Sequence, residues 1–257
     1  MSIDPRAVID PSAKIADSAT IGPFTIIGAD VEIEEKTWIG PHVVINGPTY
    51  IGRENRIFQF ASIGEIPQDK KFHGESSKLE IGDRNTIREY VSINRGTEEG
   101  GGLTRIGNDN WLMAYIHIAH DCMIGNNTTF ANGATLAGHV TIDDHAILGG
   151  FTLVHQFCAV GKYAFCGMGS AISKDVPPFV MVSGSPAHPY GVNTEGLKRH
   201  KFPKDTIKAL RDAYKTIYRS SLTVEEALSR LREKAKEEKE INLLIDFLTH
   251  TTRGIIR

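Results

Sequence analysis

Residues 15–45, IADSATIGPFTIIGADVEIEEKTWIGPHVVI, place isoleucine at 15, 21, 27, 33, 39 and 45, a spacing of six. Followed outward, the frame starts at Ile3 and runs unbroken to Ile63. It resumes at Ile81, Ile87 and Ile93, and again at Ile106, from where Leu112, Ile118, Ile124, Phe130, Leu136, Ile142, Leu148, Val154, Val160 and Cys166 carry it to Ile172. Glycine often follows the large residue (Gly22, Gly28, Gly40, Gly52, Gly125), and the fifth position is small or β-branched (Ala19, Thr25, Val31, Thr37). This period is neither the roughly 3.6 residues of a helix nor the roughly 2 of an amphipathic strand. It fits a short strand followed by a corner, with one large and one small side chain pointing inward per side. Glycine is expected to serve the corner, where it accepts backbone angles that other residues avoid. Three such sides close a triangular coil of 18 residues, stacked about 4.8 Å above the last by parallel pairing. The sequence predicts an all-β parallel β-helix of hexapeptide repeats.

Two segments interrupt the frame. Residues 64–80 (GEIPQDKKFHGESSKLE) and 94–105 (NRGTEEGGGLTR) carry Gly, Pro and charge and read as loops thrown out of the coil. Function tends to concentrate on such loops. The repeat is expected to stop at Lys174-Asp175-Val176-Pro177-Pro178. Beyond it, Ile207, Leu210, Tyr214, Ile217 and Tyr218 follow a helical spacing after Pro203, Thr223 and Glu226 form a capped helix start, and Ile241–Leu248 makes a third helix. The expected division is a β-helix over 1–190 and a C-terminal α-helical domain over 191–257, the helices covering the solenoid's exposed end.

Composition excludes more than it names. The 29 Lys+Arg against 31 Asp+Glu leave a net charge of −2, which argues against a nucleic-acid-coating protein. No apolar run approaches the roughly 18 residues of a membrane span, and Met1–Arg6 has no apolar core of a secretory signal. Three cysteines in such a chain point to a reducing cytoplasm, the expected location. Cys122 and Cys158 hold small inward positions and Cys166 a large one, so all three read as core residues.

The second block of repeats is rich in histidine. Counting by 18 from His120 gives Gly138 and then Gln156 in one column, while Asp121 stacks with His139 and His155 lies beside Gln156. An imidazole, a glycine amide and several polar side chains thus share one edge. Three readings compete: ordinary surface histidines, a zinc site of His117, His120 and His139, and an acid–base site needing one oriented histidine. Residues 117 and 120 differ by an odd number, so on a strand they face opposite ways, which weakens the zinc reading. The acid–base reading is favoured, and no metal or other cofactor is assigned.

In Ile-Ala-His-Asp (118–121), Ala-Gly-His (137–139), Val-His-Gln-Phe (154–157), Asp-Val-Pro-Pro (175–178), Asn-Thr-Glu-Gly-Leu-Lys-Arg (193–199) and Thr-Arg-Gly-Ile-Ile-Arg (252–257), the chain resembles the bacterial UDP-N-acetylglucosamine O-acyltransferases of lipid A synthesis. The resemblance covers essentially the whole chain. It implies a homotrimer of left-handed β-helices with active sites in the clefts between subunits. It also implies transfer of a (3-hydroxy)acyl chain from an acyl carrier protein thioester to the sugar 3-hydroxyl of UDP-N-acetylglucosamine. Carried over, it makes His120 the general base and the Gly138 amide the oxyanion donor, with Asp121 orienting His120. Asp69 and Lys71 would contact sugar and phosphate, and His117, His139, His155 and Gln156 would line the cleft. Asn193, Glu195 and Arg199 would hold the nucleotide. Met168 would end the acyl groove, limiting the chain to about ten carbons. Lys198, Arg199, Lys201, Lys204, Lys208 and Arg211 are expected to dock the acidic carrier. Two positions depart from the family's pattern: His200 stands where it has a second arginine, and Lys70 where it is commonly apolar.

Overall fold

The structure is a computed structural model that describes residues 2–236 and 238–257. Twenty-six short strands wind between Ser2 and Ile172, and successive turns pair in parallel, as His117 with Thr135 and Ile118 with Leu136. They form three sheets of nine, nine and eight strands, visited in strict rotation, and two later strands extend the first sheet to eleven. The chain turns from the first sheet to the second at a first corner, from the second to the third at a second, and back to the first at a third. Each two-residue strand sends one side chain out and one in. Inward Ile39, Ile45, Ile57, Ile63, Ile87 and Ile93 are fully buried, each worth about 1.5–3 kcal/mol over an exposed position. Cys122, Cys158 and Cys166 are buried free thiols.

The corner itself differs from the expectation. At most corners one residue adopts the left-handed backbone conformation, and it is seldom glycine: Phe24 (φ 60°), His42 (φ 55°), Tyr115 (φ 64°) and His139 (φ 61°) are examples. The glycines that follow the large inward residue meet a different demand, the close approach of the next coil. A Cβ on Gly22 would lie 2.7 Å from the Gly40 carbonyl carbon, and one on Gly107 would lie 2.5 Å from the Gly125 oxygen. A left-handed non-glycine residue costs roughly 1–2 kcal/mol. At the first corner stacking offsets it, because Phe24, His42, Phe60, Tyr90 and Tyr115 form a ladder with ring centroids 4.8–5.4 Å apart, each pair worth about 0.5–1.5 kcal/mol.

Both insertions leave from the second corner, between strands Ser62–Glu65 and Lys78–Ile81 and between Ser92–Asn94 and Leu103–Ile106. They therefore sit on the two coils directly before the one carrying His120.

The repeat does not stop at Asp175–Pro178. Strand Val180–Ser183 pairs in parallel with Phe165–Cys166 and returns antiparallel as His188–Val192. Val176 and Val182 stay fully buried; only the spacing shortens, between Ile172 and Val176, so that Val176 bridges Val160 and Val182 pairs with Cys166, each sixteen residues on. Four helices follow: α1 (Thr194–Arg199), α2 (Lys204–Tyr218), α3 (Val224–Lys234) and α4 (Ile241–His250). Three were expected; α1 was not. Thr223 and Glu226 form the capping box of α3. The helices enclose a core of their own around Leu197, Leu210, Leu231 and Leu244. The coil's end is met both by α2, whose Tyr214 joins the coil's core with Tyr218 packed against it, and by the C-terminal tail, where Ile256 joins the same core and its amide donates to the Asp175 carbonyl at 2.9 Å.

Candidate active site

His120 and Asp121 follow strand His117–Ile118 and occupy the second corner. Asp121 is the left-handed residue there (φ 59°), a conformation that aspartate tolerates better than most. The turn brings the adjacent side chains together where a strand would part them, and His120 Nδ1 lies 2.7 Å from Asp121 Oδ2. A carboxylate only accepts, so Nδ1 carries the proton and Nε2 presents a lone pair. That lone pair faces the first insertion, with Asp69 Oδ2 4.0 Å away.

Asp121 is almost completely buried and takes two more donors from the second insertion: the Thr97 amide at 2.8 Å and the Thr97 hydroxyl at 2.7 Å. Burial alone would raise its carboxyl, but the hydrogen bonds from His120 and Thr97 and the nearby His139 outweigh it, and the group stays below its ordinary range. His139, one coil on, sets its ring edge-on to His120 at 5.1 Å and stacks on Phe157 at 4.4 Å. Gly138 sits over the imidazole, and a Cβ there would lie 2.5 Å from His120 Cε1. Among the described residues its amide has no protein acceptor.

The parity argument against bringing 117 and 120 together does not hold, because a corner lies between them. His117 points outward from its strand, its Nδ1 2.8 Å from Ser92 Oγ, and burial first, then the charge of His120, pushes its pKa down. The zinc set read from sequence is nevertheless not the one assembled. Among the described residues the ligand-type atoms that converge within 4.8 Å are those of His120, Asp121 and His139, and Asp121 is already engaged by Thr97.

The remaining expected residues divide among the corners. Gln156 and His155 are exposed at the top of the His120 column, with His155 Nδ1 3.0 Å from the Gln156 carbonyl. Lys71 is exposed and pairs with Glu99 of the second insertion at 3.2 Å. Asn193, Glu195 and Arg199 lie on or beside α1, which is fixed to the third corner: Asn193 donates to the Tyr163 carbonyl at 3.0 Å, and His200 packs edge-on to His145 and Tyr163. Met168 is 79% exposed on the first corner. One chain thus does not gather these three groups. Thr97, Thr104 and Gly100, which hold or accommodate Asp121, escaped the sequence reading because they lie off the repeat.

A triangular parallel coil bearing a histidine–carboxylate pair on one corner defines a hexapeptide-repeat transferase, and residues 103–138 match the family model described as bacterial transferase hexapeptide (six repeats). Residues 175–256 match that of UDP-N-acetylglucosamine O-acyltransferase, domain 2. The chain belongs to the UDP-N-acetylglucosamine O-acyltransferase family. It is 57% identical to the acyl-[acyl-carrier-protein]–UDP-N-acetylglucosamine O-acyltransferase of Alkalilimnicola ehrlichii over 99% of both chains, and 55% identical to that of Halorhodospira halophila over 99% of both. The solved UDP-N-acetylglucosamine O-acyltransferase of Moraxella catarrhalis superposes with a TM-score of 0.98 at 49% identity, covering 100% of each chain. These neighbours and the parallel sheets fit a left-handed β-helix with a C-terminal helical region. No helix in the described residues is long and apolar enough to cross a membrane.

Proposed function

We propose that this chain transfers an acyl group from an acyl carrier protein thioester to the 3-hydroxyl of UDP-N-acetylglucosamine, opening lipid A synthesis. The observation that carries the chemistry is the His120 imidazole, proton-fixed on Nδ1 by buried Asp121, its free Nε2 facing Asp69 beneath the unengaged Gly138 amide. His120 Nε2 takes the hydroxyl proton as the oxygen attacks the thioester carbonyl. The oxyanion of the tetrahedral intermediate accepts from the Gly138 amide. Collapse breaks the carbon–sulfur bond, and His120 returns the proton to the departing carrier thiolate. Asp69 contacts the sugar, and His117, held neutral, His139, His155 and Gln156 line the cleft. Lys71 contacts sugar or phosphate after leaving Glu99. Asn193, Glu195 and Arg199 take the nucleotide, and the exposed Lys201, Lys204 and Lys208 dock the carrier.

The working unit is a homotrimer. Met168 and His120 occupy the two corners flanking the second sheet, whose outward face (Val8, Ile26, Val44, Ser62, Ser92, His117, Thr135, Leu153, Ala171) bears no lysine or arginine and has one carboxylate, Glu65, at the edge where the first insertion leaves. The third sheet presents Lys14, Glu32, Glu80 and Arg105. With the second sheet turned to a three-fold axis, the Met168 corner of one copy meets the His120 corner of the next, forming a closed heterologous ring.

Purified protein incubated with UDP-N-acetylglucosamine and a panel of acyl carrier protein thioesters should yield the O-acylated sugar nucleotide. His120→Ala should lower kcat by about 10²–10⁴ with the fold retained. A loss below tenfold removes His120 as the base, and metal-dependent turnover would favour the zinc reading instead.

A further inference from the structure

Thr97 lies off the hexapeptide frame, yet it makes the closest contacts of any loop residue with the histidine–carboxylate pair. We propose that Thr97 is a positioning residue for acyl transfer, deciding which histidine the Asp121 carboxylate serves; this rests on the reading of His120 as base. Two imidazoles compete for Asp121 Oδ2: His120 Nδ1 at 2.7 Å and His139 Nε2 at 3.8 Å. The Thr97 amide holds Oδ1 at 2.8 Å and its hydroxyl holds Oδ2 at 2.7 Å, so the carboxylate is gripped at both oxygens and cannot turn.

The hydroxyl has no freedom of its own. It gives its proton to Oδ2 and accepts from the Gly100 amide at 3.2 Å. The loop closes behind it, with the Gly102 amide donating to the Thr97 carbonyl at 2.7 Å. The glycines make room for this closure. A Cβ on Gly100 would lie 2.1 Å from Asp121 Cγ, and one on Gly96 would lie 2.8 Å from Oδ1. The glycine run of the second insertion thus has a physical use: it lets the backbone close over a buried carboxylate. Thr97 and Asp121 are both buried, so water does not replace a lost donor at low cost.

The consequence is one of tautomer. A carboxylate released toward His139 leaves the His120 ring free to carry its proton on Nε2, the form that cannot accept a hydroxyl proton. Thr97→Val keeps the amide and removes the hydroxyl. It should lower kcat about 10- to 100-fold, the scale of one lost hydrogen bond to a charged group, and leave KM for the acceptor sugar nearly unchanged. Nitrogen NMR of the His120 ring should show the single Nδ1–H tautomer in the parent and a mixture in Thr97→Val, with Thr97→Ser restoring both rate and tautomer. Thr97→Ala, which likewise keeps the amide and removes the hydroxyl but fills less space, should move both readouts the same way and serves if Thr97→Val does not fold. An unchanged tautomer in folded Thr97→Val, whatever the rate, overturns the proposal, as does failure of Thr97→Ser to rescue. Activity surviving His120→Ala would instead overturn the reading of His120 itself, and the tautomer measurement distinguishes the two because it requires no turnover.

Discussion

Asp121 shows how a single backbone angle makes a site. Because it sits in the left-handed region at a corner, its side chain turns back onto its own neighbour. Its depressed pKa fixes the sign of a pH effect. A carboxyl lowered in the folded state from the ordinary 3.8 contributes stability that is fully present above that value and is lost as pH falls through the folded one. Asp121→Asn should therefore destabilise the fold by about 1.5–3 kcal/mol at neutral pH. In denaturant titrations the gap should stay level down to about pH 4 and narrow only below it. A gap that already closes between pH 7 and 5 would mean that a histidine, not this carboxylate, carries the linkage. The His120–Gly138–Gln156 column was legible from counting alone, because 18 residues return the chain to the same edge. The Asp121 contact came from the family resemblance and not from counting, since strand parity fails at a corner. Thr97 came from neither, since an insertion has no period to count by.

Among the elements, the two-residue strands were the easiest to foresee and α1 the hardest. Six residues make less than two turns, too few for an apolar periodicity, and α1 is held by Asn193 at one end and His200 at the other, both against Tyr163. The hairpin Val180–Val192 was missed for a related reason: the step from Ile172 to Val176 is four residues instead of six, which broke the count while the inward valines carried on. Corners also act as elements with work to do. Met168 stands two and two-thirds coil spacings from His120, about 13 Å along the solenoid, a distance that about ten carbons of an extended chain fill. The parent should prefer a ten-carbon donor over one of fourteen. Met168→Gly should shift the ranking toward longer chains, each newly seated methylene adding about 0.8 kcal/mol. Competition among ten-, twelve- and fourteen-carbon carrier thioesters reads this directly. An unchanged ranking in the variant would remove Met168 as the stop.

At the scale of the whole molecule, the proposed groups lie on three separate corners of one triangle, and the proposed trimer is what would unite them. This gives a sharp test of the trimer. His120→Ala and Met168→Arg should each be inactive as pure trimers, the second because a charge blocks the acyl groove. Co-expressed in equal amounts, they should recover about a quarter of the parent rate, since a quarter of neighbouring pairs then join an intact His120 to an intact Met168. If both residues served a site within one chain, the mixture would stay dead. The outward face of the second sheet, free of lysine and arginine, was readable in the sequence once the strands were assigned. Which corner meets which was not, because a repeat specifies its own closure and says nothing of its neighbours.

The insertions tell how such a chain can change length. Both leave and rejoin at the second corner, so the residues after each resume the same phase, and His120 arrives on the edge where Asp69 and Thr97 already wait. Duplicating a full 18-residue coil ahead of residue 62 would add one storey and leave every later residue on its own edge. Removing a single hexapeptide from the same stretch would turn the chain by one side relative to the coils beneath it. His120 and its insertions would rotate together and keep their contacts, but they would leave the edge that the N-terminal coils reserve for them. Evolution of this architecture is therefore counted in threes: whole storeys are cheap to gain or lose, and single sides are not.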